Sequence, residues 1–472
     1  MSRLLVAGVG PIAPEKPGRL FAPGLRVWSF AEHLARNGHE VALVEGLFGG
    51  GGEGAQDLHR AADLVLPDGV ELWRVPLDWK KGVEACRLLH SERRFDAAVA
   101  TTDLMCRALA EARLTCPIWL DFFGHPMAER QMLCAVYEND GGLRGQWEML
   151  VPSLLAGDRY STCSDSQKNA LLGELALTGR ISEKTAATDL VHSFGPVTPS
   201  LDLTPTGAAA RGKTVPANAF IVLWTGGYNT WTDVGTLFEG LTRGMEKEPR
   251  LYYVSTGGAI EGHDDRTFRR FQGLVEASPL RQRFVFAGWV ALDEVKNYYA
   301  EAGVAVNIDA DTVEARFGTR NRVTEWILAG TPVVSTALSE YARRLAEAGA
   351  ITSFPAGDAQ ALCDALLAHD ADRQLGRRQN ARAREYLERH HTPGAVYRDL
   401  LAWVADPQPA PDLPPPARRG AGQPLGPDNL LARRLADLHA RPSAPRRKRF
   451  GFGLGVKPRI EAWLRGIIGR RQ

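Results

Sequence analysis

The chain has 472 residues, of which 44% are hydrophobic and 24% are charged, so it is a soluble globular protein too long for one ordinary core. Its net charge of +2 is unevenly distributed, because residues 407–472 carry +10 and the preceding 406 residues carry −8. An acidic fold without a recognition motif argues against nucleic-acid binding. The apolar run at the N-terminus is too short for a signal peptide, and no window approaches the roughly 18 apolar residues of a membrane span.

The cysteines show no CxxC pair and no spacing typical of metal ligands. In a chain of this size they indicate buried thiols in a reducing compartment, and hence a cytoplasmic protein. The six are Cys86, Cys106, Cys116, Cys134, Cys163 and Cys363.

The first half of the chain alternates short apolar runs with helical patterns, which predicts a parallel sheet covered on both faces. A helix is predicted at residues 25–37, where apolar residues recur at helical spacing and Gly38 follows as a C-cap. Strands are predicted at residues 4–9, 40–45, 97–101, 118–122 and 160–164.

A segment rich in Pro, Thr, Gly and Ala at residues 196–217 is predicted to be an interdomain linker, after which the alternation restarts. The pattern predicts an α/β protein with two Rossmann-like domains facing a central cleft, at residues 1–195 and 218–390. Strands of the second domain are predicted at residues 220–224, 251–255, 283–286, 304–308 and 332–335, with helices at 232–245, 292–302, 319–328, 359–369 and 372–390.

Three further segments follow: a C-terminal helix at residues 391–405, a Pro-rich linker at 406–445 and a basic tail at 446–472. In the tail, five apolar residues fall on one helical face between arginines, which is typical of a helix on an anionic membrane surface. A helix docked on the core and a partly disordered tail are the alternatives. The apolar residues are Ile460, Trp463, Leu464, Ile467 and Ile468.

The richest stretch is residues 314–336, EARFGTRNRVTEWILAGTPVVST. Gly318 turns the chain into the predicted helix, which begins with Thr319 and Arg320 and also carries Arg322 and Glu325. A helix N-terminus with two arginines suits a diphosphate, and a glutamate further along suits sugar hydroxyls. The pattern therefore indicates a nucleotide-sugar site, the alternative being a solvated face in which the glutamate pairs with an arginine.

A second loop, TGGYNTWTD at residues 225–233, lies between a predicted strand and a predicted helix. Its glycines would let the backbone approach a ligand closely, although an ordinary strand-to-helix turn is the alternative. The candidate donor-binding residues of this loop are Gly226, Gly227, Asn229, Trp231 and Asp233.

These motifs resemble the retaining glycosyltransferases of the GT-B fold, in particular glycosyltransferase family 4. The segments that carry the resemblance are 225–233, 283–308 and 314–334 and, more loosely, 22–45, 119–129 and 158–181. The resemblance implies transfer of a sugar from a nucleoside-diphosphate donor with retention at the anomeric carbon. It implies that Glu325 holds the donor ribose.

The family's Glu-x7-Glu spacing is absent, because Phe317 stands eight residues before Glu325. Glu314, eleven before, is the candidate to face the sugar. The chain resembles instead a variant subgroup in which Arg320 and Arg322 are typical, so these two are predicted to stabilise the departing diphosphate.

In the first domain, the resemblance implies that the Gly- and Pro-rich loop at residues 8–26 lies at the acceptor and sugar cleft, with Gly10 and Arg26 near the donor phosphate. His125 follows a predicted strand, where it would contact a sugar hydroxyl or a developing charge. A mobile loop and a structural histidine are the alternatives.

The pair Asp309 and Asp311 forms a DxD, a metal-binding signature of another glycosyltransferase fold. Because this domain is patterned for metal-free donor binding, no metal or other cofactor is expected.

The sequence thus predicts a glycosyltransferase with a glycan or lipid-linked acceptor, acting in cell-surface polysaccharide or glycolipid synthesis. A cytoplasmic location is expected, with the tail at the inner face of the membrane. A nucleotide-sugar 2-epimerase of the same fold and a non-catalytic carbohydrate-binding or scaffold protein remain alternatives.

Overall fold

The computed structural model describes residues 1–15, 21–47, 58–62 and 64–418. The predicted tail at residues 446–472 and most of the predicted Pro-rich linker lie outside these residues. Within the described part of the chain, each helix is too short or too polar to span a bilayer. All six cysteines are buried free thiols, as predicted.

The first domain is built on a sheet with the order β3-β4-β2-β1-β5-β6-β7-β8, parallel throughout except for the pair β3 and β4. Its strands are β1 (Arg3–Val9), β2 (Glu40–Leu47), β3 (His59–Arg60), β4 (Val70–Pro76), β5 (Ala97–Thr101), β6 (Ile118–Phe122), β7 (Arg159–Thr162) and β8 (Val191–Ser193). The helices are α1 (Ala22–Arg36), α2 (Trp79–Arg93), α3 (Asp103–Ala112), α4 (Pro126–Tyr137), α5 (Leu143–Ala156) and α6 (Asp165–Leu177).

The second domain has a fully parallel sheet in the order β11-β10-β9-β12-β13-β14. Its strands are β9 (Phe220–Thr225), β10 (Leu251–Thr256), β11 (Phe284–Gly288), β12 (Val304–Asn307), β13 (Val333–Ser335) and β14 (Thr352–Ser353). Its helices are α7 (Val234–Lys247), α8 (Arg266–Glu276), α9 (Leu292–Glu301), α10 (Val313–Phe317), α11 (Asn321–Leu328), α12 (Glu340–Glu347), α13 (Ala359–Ala371) and α14 (Arg373–His390).

Two short helices, α15 (Pro393–Val396) and α16 (Arg398–Ala405), follow α14. Short 3-10 helices lie at Ala13–Glu15, Asp140–Gly142, Glu183–Thr185, Arg281–Arg283 and Pro416–Arg418. The central strands of both sheets are largely apolar and buried along their whole length, such as β5, β6 and β9. Helices that cover both faces of a parallel sheet impose this pattern.

The end of the described chain returns to the first domain. Tyr397 and Trp403 join the core of that domain, with ring centroids 4.6 Å from Phe30 and 5.4 Å from Trp119, respectively. The predicted single helix at 391–405 is therefore two helices separated at Tyr397, and its apolar face packs against the first sheet.

The predicted α/β architecture of two Rossmann-like domains is confirmed. The sequence patterns gave no bounds for strands β3, β4, β8 and β14 or for helices α2 to α6, α8, α10 and α12. The predicted helix at 319–328 begins later, at Asn321, because Arg320 has extended backbone angles of −126° and 96°.

Candidate functional site

The second sheet has a switch point between β9 and β12, where the chain runs to opposite sides of the sheet. Ligands of open parallel sheets bind beyond the carboxyl ends of the strands at such a point. Here the loop at residues 226–233 follows β9, and the segment at 308–312 follows β12. The two loops touch, since Ala310 donates its amide to the carbonyl of Trp231 at 2.8 Å.

Arg322, in the first turn of α11, projects toward the loop after β9. Its Nη2 donates to the carbonyl of Gly227 at 3.0 Å, and its guanidinium lies 4.3 Å from the ring centroid of Trp224. Nη1 is enclosed and has no hydrogen-bond partner within the described residues. Burial lowers the pKa of Arg322 to about 10, so the group stays charged at neutral pH. An enclosed cation with a free donor is costly, and an anion would remove that cost.

Arg320 lies only two residues from Arg322, but its guanidinium is paired with two carboxylates. Its Nη2 lies 2.7 Å from the Glu314 carboxylate, and its Nε lies 3.1 Å from that of Asp309. All three side chains are buried, and the Arg320 guanidinium also lies 4.9 Å from the ring centroid of Trp231. The Arg320 charge is therefore used to tie the segment after β12 to the start of α11. Its direct contact with a diphosphate stays a prediction.

Glu314 is accordingly held in place by Arg320 on the first turn of α10. Desolvation raises the pKa of Glu314, and the nearby Arg320 charge opposes that shift. The contact between Glu314 and a sugar stays a prediction. It requires the carboxylate to accept from the sugar while it remains paired with Arg320.

Glu325 lies one turn after Arg322 on α11 and accepts a hydrogen bond from Tyr299 at 3.0 Å through Oε2. Burial raises the pKa of Glu325, while the bond from Tyr299 and the charge of Arg322 act in the opposite direction. The carboxylate is oriented by Tyr299 on the same side of the helix as Arg322, as the spacing of three residues requires. Its contact with the donor ribose stays a prediction.

The glycines of the loop after β9 are required by close packing. Gly226 has a left-handed φ of 82° and donates its amide to the carbonyl of Thr256 at 2.7 Å. A Cβ at Gly227 would lie 2.3 Å from the Ile260 side chain. Gly257, after β10, has a φ of 143°, and a Cβ there would lie 2.1 Å from the Gly226 carbonyl oxygen. The loops after β9 and β10 are thus locked against one another.

A cavity of about 720 Å³ opens beside these loops at the carboxyl ends of β10 and β11. Aromatic rings line one part of it and acidic side chains another. Ile260 belongs to its lining and also touches Gly227, so the cavity adjoins the loop that accepts from Arg322. The volume is that of a pocket for a nucleotide-sized ligand. The rings are Phe268, Phe286 and Trp289, with Tyr137 from the first domain.

Two other predicted donor residues have local structural roles. Asp233 caps the N-terminus of α7, where it accepts from the amide of Thr236 at 3.0 Å. The Asn229 carbonyl accepts from the amide of Thr232 at 2.9 Å and so turns the loop.

The turn before α11 is closed by Gly318, whose amide donates to the carbonyl of Glu314 at 2.7 Å. The Thr319 hydroxyl is enclosed and lacks a partner among the described residues. Thr319 thus places a second free polar atom in the segment that carries Arg322.

On the side of the first domain, Arg26 is committed to the core. It forms a bidentate pair with Asp121, at 2.9 and 2.8 Å, and donates to the carbonyl of Gly195 at 3.2 Å. Both side chains of the pair are buried. Arg26 thus connects α1 to β6 through this ion pair, and its contact with donor phosphate remains a prediction.

His125 caps the N-terminus of α4, where Nδ1 accepts from the amide of Ala128 at 3.1 Å. The proton of the neutral ring therefore lies on Nε2, which is 3.3 Å from a carboxylate oxygen of Glu174. The ring also lies 5.1 Å from that of Phe317 in the second domain. His125 thus borders the second domain, but both of its nitrogens have partners within the first domain, and its contact with a sugar hydroxyl or a developing charge stays a prediction.

Gly10 follows β1, and a Cβ there would lie 2.0 Å from a carboxyl oxygen of Glu45. Glu45 is fully buried, accepts from the amide of Ile12 at 2.9 Å, and has its pKa raised to about 8 mainly by burial. The glycine thus allows a buried carboxyl group to hold the start of the loop after β1.

Glu129, on the first turn of α4, was not a candidate from the sequence. Burial raises its pKa to about 8, and the charges of Glu314 and Asp103 add to the shift. This places a carboxyl group that binds its proton near neutral pH on the first-domain side of the cleft, opposite Glu314.

The DxD pair is divided by the fold. Asp309 is buried and pairs with Arg320, whereas Asp311 is exposed and pairs with Arg316 at 2.8 Å. No cluster of three metal-ligating side chains occurs among the residues that the structure describes.

The structure thus brings Arg320, Glu314 and Trp231 together, and separately Arg322 with Gly226 and Gly227. The cavity was not predicted from the sequence. Gly257 and Gly258 follow β10 as Gly226 and Gly227 follow β9, and this repeated Gly-Gly turn is the signal that would have located it. Trp289 and Tyr137 carried no comparable signal.

Comparisons with known proteins support this fold. Residues 219–371 match the family model described as Glycosyl transferases group 1. No curated protein sequence matches the chain.

Several solved structures share the fold. A sucrose-phosphate synthase from Thermosynechococcus elongatus has a TM-score of 0.63 at 17% identity, over 85% of this chain and 100% of that one. A trehalose-phosphate synthase from Burkholderia xenovorans in complex with glucose-6-phosphate has a TM-score of 0.61 at 12% identity, over 86% and 100%. An Anabaena protein in complex with UDP and glucose has a TM-score of 0.54 at 15% identity, over 86% and 100%. The predicted resemblance to GT-B glycosyltransferases is confirmed: the second domain matches the group 1 family model, and the solved structures share the two-domain fold.

Proposed function

We propose that this protein is a group 1 glycosyltransferase that moves a sugar, with retention, from a nucleoside-diphosphate donor to a glycan or lipid-linked acceptor. The observation that carries the proposal is Arg322. Its enclosed guanidinium has a free Nη1 at the switch point of the second sheet, beside a cavity of about 720 Å³. An unpaired cation next to a nucleotide-sized cavity matches the two parts of the donor, a diphosphate and a nucleoside.

In this arrangement the nucleobase occupies the cavity and rests against Trp289 and Phe286. The diphosphate lies between the cavity and α11, where Arg322 and the backbone of Gly226 and Gly227 meet it. Glu325 accepts hydrogen bonds from the ribose, because Tyr299 already orients its carboxylate. These contacts are parts of the proposal.

The chemistry follows from the charges. As the bond between the anomeric carbon and the phosphate oxygen breaks, Arg322 stabilises the negative charge that develops on the departing diphosphate. The acceptor hydroxyl oxygen forms the new bond to the anomeric carbon, and its proton passes to the departing phosphate. Arg320 holds the start of α11 in position through its ion pairs with Asp309 and Glu314. No metal is required, since the guanidinium supplies the positive charge.

The two domains enclose the reacting groups. Ser164 of the first domain donates to the carbonyl of Phe317 at 2.6 Å, and the amide of Asp165 donates to Glu340 at 2.8 Å. A closed cleft limits hydrolysis of the donor by excluding water. The acceptor enters from the first domain.

We further propose a uridine donor and an acceptor in cell-surface polysaccharide or glycolipid synthesis. The uridine base is supported by a neighbour that was solved with UDP. The acceptor is supported by the basic composition of residues 446–472, which suits the inner face of an anionic membrane. A cytoplasmic, peripheral location follows from the same argument.

A thermal-shift panel of UDP-, GDP- and dTDP-sugars is the first test, and we expect the UDP-sugars to raise the melting temperature most. Nucleotide release is then measured with and without acceptor extracts. A glycosyltransferase releases nucleotide chiefly when acceptor is present, whereas an epimerase converts the donor alone. Absence of any shift across the panel would refute the proposal.

A further inference from the structure

Tyr137 is the last residue of α4 in the first domain, yet it lines the cavity of the second domain. The other residues of that lining lie between residues 257 and 289. A single side chain from across the cleft therefore completes a wall that the second domain otherwise builds alone.

The Tyr137 hydroxyl makes specific contacts with the end of this wall. It lies 3.2 Å from Oδ1 of Asp264 and 3.1 Å from Oδ1 of Asp265, and its one proton serves one carboxylate at a time. The amide of Asp265 donates back to the same hydroxyl at 3.2 Å. Asp264 is buried and also accepts from the amide of Arg266 at 3.0 Å.

Arg266 strengthens the contact between the two domains. Its Nη1 donates to the carbonyl of Val136 at 3.2 Å, and its guanidinium lies 4.4 Å from the ring centroid of Tyr137. The C-terminal end of α4 is thus held at the N-terminal end of α8. Bonds of this kind, with a charged partner, are stronger than those between neutral groups.

We infer that Tyr137 is a positioning residue for the donor: it reaches across the cleft and holds the wall of the nucleotide cavity in its binding shape. The inference rests on the proposed function, because it takes the cavity to be the nucleotide subsite. The loop at residues 257–265 carries the wall, and the carboxylates at its end are the groups that Tyr137 fixes. Closing the cleft therefore also completes the donor pocket.

The test compares the full-length wild type with Tyr137→Phe, which keeps the ring and removes only the hydroxyl. Tyr252→Phe is the matched control, because Tyr252 is half-buried within β10 and does not line the cavity. UDP, GDP and dTDP binding is measured by titration calorimetry, and donor KM and kcat are measured on the best donor.

We expect Tyr137→Phe to weaken binding of the preferred nucleotide about tenfold and to raise donor KM about as much, with kcat within about twofold of the wild type. Arg266→Met should give a smaller loss, about threefold, because the ring of Tyr137 loses its support but keeps its hydroxyl. Tyr252→Phe should match the wild type.

The outcomes separate the two proposals. If the wild type binds nucleotide and Tyr137→Phe, folded by its melting temperature, binds it equally well with unchanged KM, Tyr137 has no positioning role. A fall in kcat alone would also overturn the inference. If the wild type binds none of the three nucleotides, the proposed function itself fails, and the inference fails with it.

Discussion

Arg322 and Arg320 are two residues apart on one segment, yet replacing each by methionine should have opposite consequences. Methionine keeps much of the side-chain volume and removes the charge. Arg322 has an enclosed Nη1 without a partner among the described residues, whereas Arg320 neutralises Asp309 and Glu314. One arginine is available for a ligand, and the other is part of the fold.

For Arg322→Met we expect little change in the free energy of unfolding, within about 1 kcal/mol. The variant loses a bond to the carbonyl of Gly227 and the contact with Trp224, each worth about 1 kcal/mol, but it also removes a desolvated, incompletely paired cation. Affinity for a nucleoside diphosphate should fall much further. Loss of two charge-assisted bonds to phosphate costs about 3–4 kcal/mol, which is a factor of several hundred in Kd.

For Arg320→Met we expect a loss of stability of about 3–5 kcal/mol, because two buried carboxylates lose their cation. Arg316→Met is the control, since Arg316 forms an exposed pair with Asp311 that is worth less than about 1 kcal/mol. Urea denaturation gives the stabilities, and titration calorimetry with the preferred nucleoside diphosphate gives the affinities.

Three results would contradict these roles of Arg322 and Arg320. If Arg322→Met keeps wild-type affinity for the nucleoside diphosphate, the free guanidinium donor does not bind phosphate. If Arg320→Met is as stable as Arg316→Met, the ion pairs of Arg320 do not hold the segment together. A destabilised Arg322→Met with normal affinity would assign both arginines to the fold.

Four other outcomes are expected. Glu325→Gln should weaken nucleotide binding about tenfold and leave pyrophosphate binding unchanged, because only the ribose contact is lost; equal losses for both ligands in calorimetry would contradict this role. Glu129 has a pKa raised from 4.5 to about 8, so its contribution to stability is present at low pH and is lost as pH rises through about 8. The free energy of unfolding of Glu129→Gln should therefore rise relative to that of the wild type by about 1–2 kcal/mol between pH 5 and pH 9, after allowance for the partial exposure of Glu129. Urea denaturation measures this difference, and parallel pH profiles of the two proteins would refute it. Gly257→Ala should cost about 2–4 kcal/mol of stability, because its Cβ would lie 2.1 Å from the Gly226 carbonyl oxygen. Gly273→Ala in α8 is the control. Its Cβ meets nothing within 4 Å, so this variant should gain up to about 1 kcal/mol of stability. Finally, EDTA should leave sugar transfer within about twofold of its untreated rate, and a loss restored by a divalent cation would reopen the DxD as a metal site.

The second domain was readable from the sequence because its signals are local. Strands β9, β10 and β12 are apolar runs, Gly226 and Gly227 mark a turn, and the arginines and Glu325 fall within a few residues of one another. Local patterns of this kind depend on backbone sterics and burial, which a short window contains. The same windows predicted the helix whose first turn carries Arg322.

What the sequence could not decide was the partner of each charged side chain. Arg320 and Arg322 have the same chemistry and nearly the same position, but only the folded chain brings Asp309 and Glu314 to the first and leaves the second with a free donor. Arg26 in the same way pairs with Asp121, which is distant in sequence. The cavity beside β10 and the reach of Tyr137 across the cleft likewise arise from long-range packing. The sequence by itself determined the kind of fold and predicted the kind of site. Tertiary structure decided which charges remain available, because a charge is free or neutralised according to neighbours that only folding supplies.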